Sequence, residues 1–269
     1  MGIAFNDGAG FQIGAGGQTA PARFLVAGQT GAIFGWQAQV GALAPASPNA
    51  PTAPNPVRTM SNGVAVIDRG GAGAFYTGLA LLTGSVNRLY AARFGAGVDV
   101  FDDRFNPVTV SGGFADPNTP AELSPYNIQA IGGLLYVAYA KKTGPTTIRG
   151  AGLGMVNAFD TDGRLVRRVA SGGVLNAPWG MALAPANFGG FSNTLLVANG
   201  GDGLVNAFDP VSGALVGALK TADGLPIVID RPQGLAFGNG LSGQSANSLF
   251  FAAAPMDFTE GQFGRIDLA

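Results

Sequence analysis

The chain has 269 residues, of which 12% are charged and 47% are hydrophobic, so it can bury a core and is not disordered by composition. Fifteen Lys and Arg balance sixteen Asp and Glu. Because no basic block is present that could neutralise a row of phosphates, we expect no nucleic-acid partner. The absence of Cys and His excludes disulfides, thiolate or imidazole metal sites, and Ser-His or Cys-His catalytic pairs.

No membrane-spanning segment is expected. The longest apolar stretches, at residues 134–140 and 248–254, fall far short of the roughly 18 residues that cross a bilayer. Met1 is followed directly by Gly-Ile-Ala-Phe, without the basic and apolar segments of a signal peptide, so none is visible in this chain.

The composition and an internal repeat predict the fold. With 44 Gly and 17 Pro, the chain favours short strands joined by turns over helices. Five repeats each begin with a strand whose first residue is small or polar, followed by alternating apolar positions. In chain order, the predicted strands are 2–5, 24–27, 31–36 and 64–67; 78–81, 88–92, 97–102 and 108–110; 127–130, 134–139, 154–160 and 164–169; 180–183, 194–198, 203–209 and 214–219; and 234–237, 248–253 and 264–268.

Four strands per repeat, at a spacing close to the roughly 40 to 50 residues of known propellers, indicate the blades of one all-β propeller domain over residues 1–269. The near-identity of residues 156–160 and 205–209 supports the repeat. Residues 41–57 carry five prolines, so we expect a Pro-rich surface insertion rather than a strand or a domain linker. The fifth repeat ends after its third strand, which leaves unpaired blade edges through which the protein could self-associate.

Three segments carry a resemblance to a known family. Asn176-Ala177-Pro178-Trp179-Gly180-Met181-Ala182, residues 126–133 and residues 233–240 resemble an uncharacterised, mostly bacterial family of NHL-like six-bladed β-propellers. That resemblance implies five blades of a six-bladed ring, because family members begin with one further blade that this sequence lacks. It also implies an exported protein with an extracytoplasmic location. We expect an incomplete ring with a gap beside the first and last blades.

Two motifs resemble ligand sites but are better explained as turns. Residues 238–243 fit G-x-G-x-x-G, but the next element is a predicted strand rather than the helix that a dinucleotide site needs. Asp160-Thr161-Asp162-Gly163 resembles the start of a calcium loop, but the twelfth position is Ser171 instead of Glu. We interpret the first as a hairpin loop and the second as a type I turn, a role that residues 209–213 repeat.

Two classes of function remain open. No Ser-hydrolase elbow, S-x-x-K or P-loop motif is present. A non-catalytic binding or interaction module, for an unknown small molecule or protein and without cofactor or metal, is the first class. The alternative is a divalent-metal-dependent hydrolase or lactonase of the gluconolactonase-like propeller type. The only glutamates, Glu122 and Glu260, do not lie at inner-strand starts, where a channel metal would be held.

Strand direction predicts where a ligand would bind. In an antiparallel blade, the start of the first strand and the turn between the second and third lie on one side. Loops on a rigid scaffold are the usual place for ligand recognition.

Trp36 and Trp179 are interpreted as packing residues rather than as a surface on which a sugar stacks. The predicted ligand-binding residues are Asn127, Lys141, Lys142, Arg149, Asn199, Asp202 and Gln233.

Overall fold

The computed structural model describes residues 2–40, 63–144 and 146–268, and the predicted insertion at 41–57 lies outside them. In this part the regular secondary structure is almost entirely β-strand. Besides strands it contains two three-residue 3-10 turns and one short helix, α1 (Pro255–Phe258).

Blade 1 is a four-stranded antiparallel sheet in the order β1-β4-β5-β6, and it agrees with the predicted strands. A separate hairpin, β2-β3, is inserted after its inner strand and was not predicted as a paired element. The bounds are β1 (Ile3–Phe5), β2 (Gln12–Ala15), β3 (Gln18–Pro21), β4 (Phe24–Ala27), β5 (Ala32–Trp36) and β6 (Val64–Asp68).

Blade 2 has three strands, β7 (Tyr76–Leu82), β8 (Arg88–Arg93) and β9 (Gly97–Asp102). The prediction of a fourth strand at 108–110 is wrong. The ladder continues through an isolated bridge between Phe101 and Pro107, with one bond on each side of it, from Asp102 N to Asn106 O over 2.9 Å and from Val108 N to Val100 O over 2.8 Å. After Val108 the chain leaves β9, and Gly112 N donates instead to Asp162 O over 2.8 Å, so no regular fourth strand forms.

Blades 3, 4 and 5 follow the predicted order of strands. Blade 3 contains β10 (Leu123–Ile131), β11 (Leu134–Thr143), β13 (Gly154–Phe159) and β14 (Leu165–Ser171), with the short β12 (Thr146–Ile148) paired to β11. Blade 4 contains β15 (Pro178–Leu183), β16 (Leu195–Asn199), β17 (Val205–Phe208) and β18 (Leu215–Ala218). Blade 5 has the three predicted strands, β19 (Pro232–Phe237), β20 (Leu249–Ala253) and β21 (Gln262–Ile266).

The described chain is therefore an all-β protein built from five β-propeller blades, as the repeat predicted. Its backbone contacts divide it into two compact units. Unit 1 comprises Met1–Arg93 and Val98–Thr109 and holds blades 1 and 2, while unit 2 comprises Phe94–Gly97 and Val110–Ala269 and holds blades 3 to 5.

Within each unit, the core lies between successive blades. In unit 1, Leu25 and Ile33 of blade 1 share a buried cluster with Leu79 and Leu89 of blade 2. In unit 2, one cluster joins blades 3 and 4, and a second joins blades 4 and 5. Burial of these apolar faces, at about 25 cal/mol per Å² removed from water, holds neighbouring blades together.

The glycine at the start of two of the repeats, Gly2 and Gly180, has a packing reason. A Cβ on Gly180 would overlap the carbonyl oxygen of Gln233 in the next inner strand, and a Cβ on Gly2 would overlap the Leu79 backbone. The exception, Asn127, uses its side chain at the same place: Nδ2 donates to the Trp179 carbonyl oxygen over 2.7 Å. The first residue of each of these inner strands therefore touches the backbone of the following blade.

Candidate ligand-binding face

A small recess lies in unit 2, where residues from all three of its blades meet. It has a volume of about 10 Å³. Its lining residues are Tyr126, Thr147, Arg149, Ala177, Gly200, Arg231, Gln233 and Phe258. They come from inner-strand starts, from the turns that follow second strands, and from α1, which are the elements that strand direction predicts to share one face.

Two guanidinium groups dominate the electrostatics of the recess. Arg149 is exposed, whereas the Arg231 side chain is only 12% exposed. The Arg231 guanidinium carbon lies 5.1 Å from the centre of the Phe258 ring, and Nε lies 3.9 Å from Asp230 Oδ1. Within the part of the chain that the structure describes, Arg149 has no carboxylate within ion-pair distance.

Tyr126 adds a neutral hydroxyl to these cations. Burial raises the pKa of the Tyr126 phenol, while a hydrogen bond with Thr147 and the charges of Arg149 and Arg231 act in the opposite direction. Since the net shift is upward, the phenol stays protonated at neutral pH and can donate a hydrogen bond. The recess thus combines cationic and neutral donors with the Gln233 amide.

The structure brings two of the predicted residues into the recess, Arg149 and Gln233. Lys142 lines a different cavity of about 360 Å³, and its Nζ lies 5.7 Å from the centre of the Phe94 ring. Lys141 is half-buried in β11. That second cavity is lined by Gly95, Ala96, Ala121, Glu122, Leu123, Ser124, Lys142 and Gly144.

The other predicted residues hold the scaffold together. Asn127 is buried against Trp179, as described above. Asn199 is fully buried: its Oδ1 accepts from Asn176 N over 3.1 Å and its Nδ2 donates to Val174 O over 2.7 Å. Asp202 is exposed, but its Oδ2 accepts from Asn176 Nδ2 over 3.1 Å. Such satisfied polar groups stabilise the turns that frame the face, and whether any also contacts a ligand stays a prediction.

Asp160 acts as the turn residue that the sequence predicted. Its Oδ1 accepts from Asp162 N over 2.9 Å and from Arg164 N over 2.8 Å, and Gly163 has a φ of 70°. Asp209 Oδ1 accepts in the same way from Ser212 N over 2.7 Å. These carboxylates are therefore used by backbone N–H groups.

The two tryptophans differ. Trp179 is buried, as its packing interpretation requires, whereas Trp36 is half-buried on a face of blade 1. Among the described residues, no group of three Asp or Glu side chains is placed to hold a metal ion, and no helix is long and apolar enough to cross a membrane.

Six residues that line the recess were not among the predicted ligand-binding residues: Tyr126, Thr147, Ala177, Gly200, Arg231 and Phe258. Two of them carried a usable signal. Tyr126 directly precedes the repeat start in blade 3, the position that Gln233 occupies in blade 5. Arg231 lies two residues before Gln233. Phe258 belongs to α1, a helix that nothing in the repeat pattern indicates.

Comparison with known proteins corrects the predicted family. No family model matches the chain. It is 34% identical over 275 residues to the uncharacterised protein L690 of Acanthamoeba polyphaga mimivirus, and 40% identical over 186 residues to protein R648 of the same virus. These relatives are giant-virus proteins, so the predicted resemblance to a mostly bacterial family is wrong, and the expected export loses its support. The first alignment includes 98% of this chain but only 66% of L690. The second includes 45% of R648.

Solved structures agree with the fold. A protein of unknown function from Bacteroides caccae matches 90% of this chain and 72% of its own, with a TM-score of 0.50 and 10% identity. A chain of the nidogen/laminin complex matches 90% of this chain and 73% of its own, with a TM-score of 0.53 and 15% identity. At such low identity, these similarities concern the fold alone.

Proposed function

We propose that this protein is a non-catalytic β-propeller binding module and that the recess receives an oxyanion, a carboxylate or phosphate group, of its ligand. The observation that carries the proposal is the convergence of Arg149 and Arg231, from different blades, beside the Tyr126 phenol. Guanidinium groups recognise carboxylate and phosphate oxygens through charge-assisted, often bidentate hydrogen bonds.

The size of the recess limits what enters it. A volume of about 10 Å³ is close to the space that one water molecule needs. Only one oxygen atom of the carboxylate or phosphate fits there, so the rest of that group and of the ligand would lie over the surrounding turns, where Arg149 is exposed. This arrangement suits a module that holds one anionic group as an anchor.

The groups in the recess favour binding over catalysis. Its lining residues include two permanent cations, a protonated phenol, an amide and a hydroxyl, and among the side chains that the structure describes there, none is a carboxylate that could act as a general base at neutral pH. We therefore place the metal-dependent hydrolase second, since no arrangement of the described residues favours it.

Titration by heteronuclear NMR tests the proposal, with inorganic phosphate and acetate as the probes. We expect saturable shifts of the Tyr126, Arg149 and Gln233 amide signals, and about a tenfold weaker affinity in Arg149→Gln, because one charge-assisted hydrogen bond is lost. Arg167→Gln is the matched control, since the Arg167 guanidinium donates to Pro210 O beside the Asp209 turn, on the opposite side of the blades.

Three results would contradict the proposal. Neither probe causes saturable shifts, or the shifts are confined to the Asp160 and Asp209 turns, or Arg149→Gln binds as tightly as the control. Turnover of a lactone that depends on an added divalent ion would instead support the hydrolase.

A further inference from the structure

Phe258 forms an apolar wall of the recess, and the anion site proposed above makes no use of it. The short helix α1, between β20 and β21, brings the centre of the Phe258 ring to 5.1 Å from the Arg231 guanidinium carbon. The residue lines the recess and is nevertheless 56% exposed. A large aromatic side chain that stays more than half exposed beside a cationic site has apolar surface available to a ligand.

The backbone around the recess is strained. Among the residues that the structure describes, nine other than glycine have a positive φ, and three of them line the recess: Ala177 with 48°, Arg231 with 54° and Phe258 with 68°. A residue with a Cβ is sterically disfavoured in this conformation. Backbone strain of this kind concentrates at ligand sites, where the surrounding contacts impose it.

Hydrogen bonds hold α1 beside the recess. Ala254 N, directly before the helix, donates to Arg231 O over 3.1 Å, and Met256 N donates to Asp230 Oδ2 over 3.3 Å. Phe258 N donates back to Ala254 O over 3.3 Å. The helix that carries Phe258 is therefore attached to the segment that carries Arg231, so the ring and the guanidinium group stay next to each other.

The chemistry of the oxyanion decides what can lie against Phe258. Only one oxygen fits in the recess, so the second oxygen of a carboxylate would face the exposed Arg149. A carboxylate has no further oxygen, and its carbon can be bonded directly to an apolar group. A phosphate would place additional charged oxygens against the Phe258 ring, which donates no hydrogen bond to them, and removing such oxygens from water is costly.

We propose that the ligand is an organic carboxylate with an apolar body, and that Phe258 determines this specificity by packing on that body. Arg149 and Arg231 hold the carboxylate, so the proposal rests on the proposed function and adds to it the class of ligand. Neither an inorganic anion nor a strongly hydrophilic acid would use the exposed part of the Phe258 ring. Covering that surface strengthens binding in proportion to the apolar area removed from water.

Three probes separate the contribution of the carboxylate from that of the apolar body. Heteronuclear NMR titrations of the wild type compare acetate, hexanoate and 1-hexanol. Each methylene that leaves water strengthens binding by up to about fourfold, so hexanoate should bind at least about tenfold more tightly than acetate. 1-Hexanol has the chain without the charge and should bind at least about tenfold more weakly than hexanoate.

Substitutions of Phe258 test its role. Phe258→Ser should reduce the preference for hexanoate over acetate to below about threefold, while acetate binds within about twofold of the wild type, because both guanidinium groups remain. Phe258→Leu restores an apolar side chain and should keep most of the preference. Leu241→Ser is the matched control, at a residue 67% exposed in the hairpin between β19 and β20, and its preference should equal that of the wild type.

The same titrations distinguish failure of this proposal from failure of the anion site. If acetate shifts the Arg149 and Gln233 signals saturably but hexanoate binds no more tightly, the anion site stands and the proposal of an apolar body is overturned. A preference that persists in Phe258→Ser, in a variant whose spectrum shows that it is folded, also overturns it, and so does 1-hexanol that binds as tightly as hexanoate. If neither carboxylate causes saturable shifts at the recess, both proposals are wrong.

N-acetyl-leucine identifies the source of the carboxylate. It reproduces the C-terminus of a peptide, whereas hexanoate represents a free organic acid. Both should bind more tightly than acetate, since both place apolar surface next to the carboxylate. Tighter binding of hexanoate would identify a free acid as the ligand, and tighter binding of N-acetyl-leucine the end of a peptide chain; either order supports the proposed class. Two affinities no higher than that of acetate would overturn it.

Discussion

Asp116 and Arg168 form a partly buried ion pair in unit 2, with Arg168 Nη2 2.6 Å from Asp116 Oδ2; the Asp116 side chain is 1% exposed and the Arg168 side chain 33%. The same Oδ2 accepts from Asn157 Nδ2 over 3.0 Å, and Oδ1 accepts from Asn118 N over 3.0 Å. Burial acts to raise the pKa of Asp116, but the hydrogen bonds from Arg168, Asn118 and Asn157 outweigh it, and the pKa lies below its usual value. The pair fastens the segment before blade 3 to β13 and β14.

Acid should weaken the fold through this carboxylate. Because the folded pKa of Asp116 is below the unfolded value of about 3.9, its stabilisation is complete above that pH and is lost as the pH falls through the folded pKa. Asp116→Asn should lower the free energy of unfolding by about 1 to 3 kcal/mol at pH 6, since the charge-assisted hydrogen bonds of the carboxylate are weakened while Arg168 can still be partly solvated.

Urea unfolding at pH 6 and pH 3 measures the effect. The difference between wild type and Asp116→Asn should shrink at the lower pH, while Asp223→Asn, at an exposed residue, should change little at either. A difference that is the same at both pH values would mean that the Asp116 charge is not what stabilises this segment.

Gly180 and Gly234 occupy equivalent positions of the repeat, but substitution by alanine should have different effects on the free energy of unfolding. A Cβ on Gly180 overlaps the Gln233 carbonyl oxygen, so Gly180→Ala should cost about 1 to 3 kcal/mol as the inner strands move apart. At Gly234 the nearest atom is Ala252 Cβ at 3.9 Å, so Gly234→Ala should be neutral or gain up to about 1 kcal/mol. Thermal unfolding of both variants measures the contrast, and equal effects would contradict the packing reason for the repeat glycine.

Asn127 should behave as a packing residue. Asn127→Gly restores the common residue of the repeat but removes the donor to Trp179 O, at a cost of about 1 kcal/mol. Asn127→Asp should cost more, because a buried carboxylate cannot donate to that carbonyl and repels it. Chemical unfolding followed by Trp fluorescence gives both values. If Asn127→Asp were as stable as the wild type yet lost phosphate binding, Asn127 would belong to the ligand site.

Residues 41–57 lie outside the described part of the chain, and the expectation that they are dispensable remains a prediction. Replacing them with a short Gly-Ser linker should leave the free energy of unfolding nearly unchanged, because an Ala-, Pro- and Asn-rich segment buries little apolar surface. An insoluble variant, or a loss of several kcal/mol in urea, would show that the segment packs on a blade.

The repeat is where the sequence was most informative. Alternating apolar positions and turn residues act within a few residues, so the five blades, the three-stranded last blade and the turn at Asp160 could be predicted from neighbouring residues alone. Prediction failed after Val108, where the chain leaves β9 and Gly112 N bonds to Asp162 O instead, and at the β2-β3 hairpin, whose pairing gives a weak local signal.

Contacts between blades were decided only by the tertiary structure. Asn157 and Asn206 lie in nearly identical sequence segments. Asn157 Nδ2 donates a hydrogen bond to Asp116, whereas Asn206 Nδ2 is buried without a hydrogen-bond partner among the described residues. Arg149 and Gln233 become neighbours only because separate blades converge at the recess. From the repeat pattern, Ile3 would be predicted to lie in the core, but in the structure it is exposed. The face of a blade is buried only where another segment packs on it, and that packing joins residues far apart in the chain.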